Sequence, residues 1–155
     1  MGASDVRERG FDLLASKLHP PLMRPGVIRR SHLVERLASS DYHPIVSVVA
    51  PGGYGKTMLL SQWAERSSQA FAWVSVDEAD NDPKGLLTYV AEALDAVEPV
   101  GERVFEALAS VASSVPGSVV PRLGSAFSSM TSPVVLVLDD VHVPVSYTHL
   151  TLPTN

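Results

Sequence analysis

At 155 residues, with 45% hydrophobic and 19% charged side chains, the chain has the size and make-up of one ordinary globular domain and not of a disordered segment. It has no cysteine, which excludes a disulfide framework and a thiolate metal site and fits a reducing compartment. The net charge of −5 divides unevenly, with seven basic and four acidic residues in 1–40 against five and thirteen in the remainder, and no clustered basic face marks a nucleic-acid footprint.

The opening "MGASDVRERG" is charged and lacks an apolar segment, so it is no secretory signal. Val6 breaks the myristoylation pattern at its sixth position. The longest apolar run, "VVLVL" from Val134, is far too short to span a bilayer. A soluble, cytoplasmic protein without membrane contact is expected. The basic excess of the first forty residues suits either a bound polyphosphate or a solvated surface.

"HPIVSVVA", ending at Ala50, is a β-branched run that predicts a buried strand. Eight positions follow the strand end in the form Ala50-Pro51-Gly52-Gly53-Tyr54-Gly55-Lys56-Thr57. They match the phosphate-binding loop G-x-x-x-x-G-K-[ST] in their last three residues and depart from it in the first. The parts that hold phosphate are nevertheless present. Backbone N–H groups from Gly53 to Thr57 can form an anion nest at a helix N-terminus. Gly55 lets the backbone approach without a Cβ, Lys56 can reach the β and γ oxygens, and the Thr57 hydroxyl can ligate Mg²⁺. Ala50 at the departing position is the smallest side chain after glycine. Nucleotide contacts are therefore expected along Ala50, Pro51, Gly52, Gly53, Tyr54, Gly55, Lys56, Thr57 and the following Met58.

Leu59, Leu60, Trp63 and Ala64 recur at helical spacing up to about Ser67, and "FAWVSVD" predicts a strand over Phe71–Asp77. Asp82 suits an N-cap and Pro83 the first helical position of a helix lined by Leu86, Leu87, Val90, Ala93, Leu94 and Val97. Val104–Val111 and Val119–Met130 predict two more helices. "PVVLVLDD" is an apolar strand ending in two carboxylates. Asp139 can hold Mg²⁺ opposite Thr57, and Asp140 stands where related folds place a water-activating acid. Strands separated by helices predict an α/β fold, a parallel sheet with helices on both faces and ligands at the strand carboxyl ends. The five histidines show no metal-ligand spacing. Trp63 and Trp73 are expected in the core.

Three blocks together resemble the large MalT-like, LuxR-type transcriptional activators, which are STAND-class P-loop ATPases. They are "KLHPPLMRPGVIRRSHLVERL" (17–37), "APGGYGKT" (50–57) with the alanine usual in that family, and "AWVSVDEADNDPKGLLTYVAEAL" (72–94) followed by "LVLDDVH". The resemblance runs from about Leu14 to His142, and residues 99–132 add little to it. It implies ATP on the loop and a switch between ADP and ATP states. It also implies adenine contacts from Ile28 and Arg30 in "VIRR", with Arg29 less secure. Self-association, slow ATP turnover, and an inducer and DNA bound through other domains are implied for the intact protein.

By the same resemblance the chain divides into an arm and lead-in helix (1–40), a P-loop NTPase domain truncated after the Walker B strand (41–144) and a tail (145–155). The tail "VSYTHLTLPT" reads as a translated transposon adapter and is set aside as a processing scar. Strands that flank Ile45–Ala50 in that ATPase class are then missing, and an inactive fragment is expected. Two other readings stay open at this point: a P-loop hydrolase or kinase that turns ATP over, and a truncated reading frame with no working product.

Overall fold

The computed structural model describes residues 14–40 and 45–141. The first residues of the arm, residues 41–44, His142 and the whole adapter-like tail lie outside the described residues.

Among the described residues seven regular elements follow one another: α1 (Ser31–Ala38), α2 (Lys56–Arg66), β1 (Ala70–Ser75), α3 (Pro83–Asp95), α4 (Glu102–Ala109), α5 (Val120–Ser128) and β2 (Val134–Asp139). Short 3₁₀ turns at Ala15–Leu18 and Glu78–Asn81 punctuate them, and a π turn at Val115–Val119 leads into α5. β1 and β2 pair in parallel from Ala70 opposite Val134 to Ser75 opposite Asp139. The ladder continues one step further, because the Val76 N–H donates to the Asp139 carbonyl at 2.8 Å.

Side chains alternate across a strand, so this two-stranded sheet has two faces to cover. Ala72, Val74, Val134 and Leu136 face a core built with α3, α4 and α5, centred on Val90, Leu94, Val104, Leu108 and Val119. Phe71 and Val135 face the other way, towards a smaller core of Val34 and Leu37 from α1 and Leu59 and Trp63 from α2. Trp63 meets Phe71 edge to face at 5.0 Å. Trp73 is 1% exposed, and its indole N–H donates to the Ser75 hydroxyl. Both tryptophans are thus core residues. Each fully buried side chain of this kind contributes about 1.5–3 kcal/mol.

Local chemistry sets the element ends. The Asp82 carboxylate accepts from the Gly85 N–H and Pro83 starts α3, so the sequence cap holds. Ahead of it, Asp77 and Asp80 form a reciprocal capping box around Glu78–Asn81. That acidic turn also holds the lead-in segment. Lys17 reaches across to both carboxylate oxygens of Asp80, at 3.0 and 2.8 Å, and to Asp77 at 2.8 Å. The same ammonium lies 5.0 Å from the Tyr89 ring centroid, and the Tyr89 hydroxyl accepts from the Leu14 N–H.

One expected element is absent. Residues 45–50 take no regular secondary structure, and Ile45 and Val49 are 85% and 88% exposed. The physical reason is a missing partner. β1 and β2 bond to one another, and among the described residues no third strand lies beside 45–50 to accept its backbone groups. Only Val48 is drawn in, against the α1–α2 core.

Candidate phosphate-loop site

The glycine loop runs from Ala50 into the first turn of α2. Gly53 and Gly55 both have positive φ, 79° and 74°, and Gly55 is the left-handed residue immediately before α2. Glycine adopts this geometry freely, whereas an L side chain costs about 1–2 kcal/mol there. The first amides of α2 have no preceding turn to bond and carry the positive end of the helix dipole.

Lys56 folds back over this loop. Its ammonium donates to the Ala50 carbonyl at 2.7 Å and to the Pro51 carbonyl at 3.2 Å. One residue on, the Thr57 hydroxyl donates to an Asp139 carboxylate oxygen at 3.0 Å across 82 positions of sequence. The loop and the end of β2 are thereby joined through two side chains that the sequence paired on chemistry alone. Asp139 is 4% exposed. Burial pushes its carboxyl above the ordinary carboxylate range, with the neighbouring Asp140 charge adding to the rise, while the Thr57 hydroxyl, the Asp140 backbone N–H and the Lys56 charge act in the opposite direction.

Asp140 itself is exposed and has φ 57°, a conformation that aspartate tolerates better than most residues. Tyr54 is 60% exposed beside the loop. Met58 and Thr57 are half-buried in the first turn of α2.

The "VIRR" segment lies against the same helix. The Arg30 guanidinium is 3.7 Å from the position that a Cβ on Gly55 would take, so Arg30 stands beside the phosphate loop. The Ile28 side chain is 82% exposed, and only its carbonyl is engaged. Gln62 makes that engagement. This α2 side chain, 5% exposed, accepts from the Arg30 N–H at 2.9 Å and donates to the Ile28 carbonyl at 3.0 Å. Sequence reading passed over Gln62. The available signal was its helical position, three residues after Leu59 on a buried face where an amide needs two partners.

Among the described residues no group of three or more His, Cys, Asp or Glu could hold a metal ion. A hydroxyl and one carboxylate, Thr57 and Asp139, are the oxygen donors that the site offers. That sparse set suits Mg²⁺, which keeps several waters and takes one or two protein carboxylates, better than it suits a cation needing a protein cage. No helix among the described residues is long and apolar enough to cross a membrane.

The chain is similar to transcriptional regulators from several bacterial species. It is 33% identical over 132 residues to the HTH-type transcriptional regulator MalT of Serratia proteamaculans, and 31% identical over 132 residues to the protein of that name from Yersinia pestis. It is 29% identical over 134 residues to that from Klebsiella pneumoniae. Each match covers 84% of this chain and 14% of the relative, so the chain corresponds to a small part of their length. No family model matches the chain, and no solved structure matches it.

Proposed function

We propose, from the homology of this chain to one segment of the MalT-type transcriptional regulators, that it is the nucleotide-binding part of such a regulator, switched by ATP and ADP with Mg²⁺ in the cytoplasm. The observation that carries this reading is the Thr57–Asp139 hydrogen bond, which joins the glycine loop to the carboxyl end of β2 with Lys56 alongside. Ligands of parallel α/β sheets bind at that end.

The residues would act as follows. Lys56 would exchange the Ala50 and Pro51 carbonyls for phosphate oxygens, and the amides of Gly53 to Thr57 would orient the same group. Thr57 and Asp139 would hold Mg²⁺ in place of their mutual bond. The cation would supply charge neutralisation, which also favours the ionised form of a carboxylate whose burial works against it. Arg30, beside Gly55, borders the bound nucleotide, with Ile28 further out. Asp140 orients or activates water, a slow reaction in a switch. DNA, inducer and self-association belong to the rest of the regulator. A switch requires that ATP and ADP stabilise different states, and rapid turnover adds nothing to it.

The test uses a chain extended to the length of its relatives. Replacing Lys56 by Ala removes a charge-assisted hydrogen bond of about 1.5–3 kcal/mol, so Mg·ATP affinity measured by calorimetry falls roughly ten- to a hundredfold. Equal affinities overturn the phosphate assignment. Steady-state hydrolysis is expected well below the kinase range of about 1–100 per second. Turnover inside that range, with no nucleotide effect on self-association or DNA binding, makes the protein an ordinary hydrolase or kinase instead.

A further inference from the structure

We infer that Gln62 is a positioning residue for nucleotide recognition: its carboxamide pins the Ile28–Arg30 backbone to the phosphate-loop helix and so sets Arg30 where its guanidinium reaches Gly55. The inference rests on the proposed nucleotide site and adds to it a residue outside the loop motif.

The geometry is that of a strand bridge made by a side chain. In a parallel pair, one residue of a strand accepts from the N–H of one partner residue and donates to the carbonyl of the partner two positions before it. Gln62 does both, accepting from the Arg30 N–H at 2.9 Å and donating to the Ile28 carbonyl at 3.0 Å. It is 5% exposed, so water cannot readily take its place at either contact. A carboxamide carries the required acceptor and donors on one planar group. Glutamate lacks the donor, leucine lacks both, and asparagine is one methylene short.

This clamp governs Arg30 because of where each residue sits. Gln62 lies six positions after Lys56 on α2, and Arg30 immediately precedes α1. Leu59 and Trp63, on either side of Gln62, pack with Val34 and Leu37 of α1. The apolar contacts press the two helices together, and they are indifferent to small shifts along one another. The two hydrogen bonds fix the Arg30 backbone within side-chain reach of the loop, and its guanidinium lies 3.7 Å from the Gly55 Cβ position. Its place beside the loop gives a polyphosphate a second cation in addition to Lys56, one whose planar fork suits phosphate oxygens.

A role through Arg30 predicts non-additivity, which loss of packing does not. In the extended chain, Mg·ATP affinity is measured for the parent, Gln62→Leu, Gln62→Glu, Arg30→Ala and the double variant Gln62→Leu/Arg30→Ala, with Lys56→Ala as control. Gln62→Leu and Arg30→Ala are each expected to weaken binding roughly tenfold, and the double variant to be no weaker than Arg30→Ala alone. Gln62→Glu keeps the contact to the Arg30 N–H and should fall between the parent and Gln62→Leu. Losses that multiply in the double variant, or a Gln62→Leu protein that binds like the parent, overturn the positioning role. If Gln62→Leu fails to fold, the comparison of Gln62→Glu with and without Arg30→Ala decides on the same criterion. Lys56→Ala separates the two readings. If it binds like the parent, the nucleotide site itself is wrong. If it weakens binding while the Gln62 cycle is additive, only the positioning role falls.

Discussion

Replacing Thr57 by Val should destabilise the protein in a pH-dependent way and weaken its response to Mg²⁺. Valine keeps the shape of threonine and deletes only the hydroxyl that donates to Asp139 at 3.0 Å. Asp139 is 4% exposed and would keep the Asp140 N–H as a donor, so the carboxylate loses one of its hydrogen bonds without gaining water. A hydrogen bond to a charged group is worth about 1.5–3 kcal/mol and a neutral one about 0.5–1.5, so the cost should lie in the first range where Asp139 is ionised and in the second where it is protonated. The sign follows from the direction of the shift. Asp139 already titrates above the ordinary carboxylate range because of burial, and removing a donor raises it further. An acid whose pKa is raised by folding favours the folded state most below its unfolded value and loses that contribution as pH rises through the folded one. The gap between parent and variant therefore widens from acid to neutral pH. Urea unfolding of the extended chain at several pH values, followed through the buried Trp73 and Trp63, measures it. A gap that is constant with pH, or that narrows towards neutrality, refutes the assignment of the Thr57–Asp139 contact as a hydrogen bond to a buried carboxylate. Mg·ATP should raise the melting temperature of the parent more than that of the variant, which keeps Lys56 and the loop amides but loses the hydroxyl assigned to Mg²⁺.

Asp139→Asn should separate stability from binding: it removes a buried charge while keeping an acceptor for Thr57, so the ligand-free protein melts higher at neutral pH than at acid pH relative to the parent, yet Mg²⁺ no longer improves nucleotide affinity in titrations. Lys17→Met should free the lead-in segment from the acidic turn, seen as faster hydrogen exchange at Lys17–Leu18 and Ala79–Asp80 with the α3 core unchanged. In the parent, burial pulls the Lys17 pKa down but its bonds to Asp77 and Asp80 outweigh this and leave it raised, while the bond from Lys17 lowers that of Asp77. The contact is therefore strongest between the carboxylate and lysine ranges, weakening in acid as Asp77 protonates and opening in strong base as Lys17 loses its proton, and exchange in the Lys17→Met protein should lack both transitions.

Local signals in the sequence were sufficient for most elements. The run Leu59, Leu60, Trp63, Ala64 specifies α2, and the Asp82-Pro83 pair specifies the start of α3, because caps and periodicity act within a few residues. β1 and β2 were legible as well, since each is an apolar run bounded by polar residues and each found the other as partner. Residues 45–50 look equally strand-like but have no partner among the described residues, and a strand is defined by the backbone groups opposite it. The loop motif and the two aspartates announced the candidate site. Gln62 and Lys17 did not: their partners lie 32 and 63 positions away, and although helical spacing puts Gln62 on a buried face, nothing local names the distant groups either side chain meets.

The contacts around the site also have an order in time. Gln62 meets Arg30 across 32 positions and Lys17 meets Asp80 across 63, whereas Thr57 waits for a residue 82 positions later. Chains emerge from the ribosome at about 5–20 residues per second, N-terminus first. The glycine loop is therefore synthesised several seconds before the carboxylate that completes its pairing. During that interval α1 and α2 can join through Gln62, and the lead-in segment can dock once Asp80 has emerged. The residues of the loop and the Lys56 ammonium are thus made before Asp139 exists, so the pairing of Thr57 with Asp139 is the last of these contacts that can form.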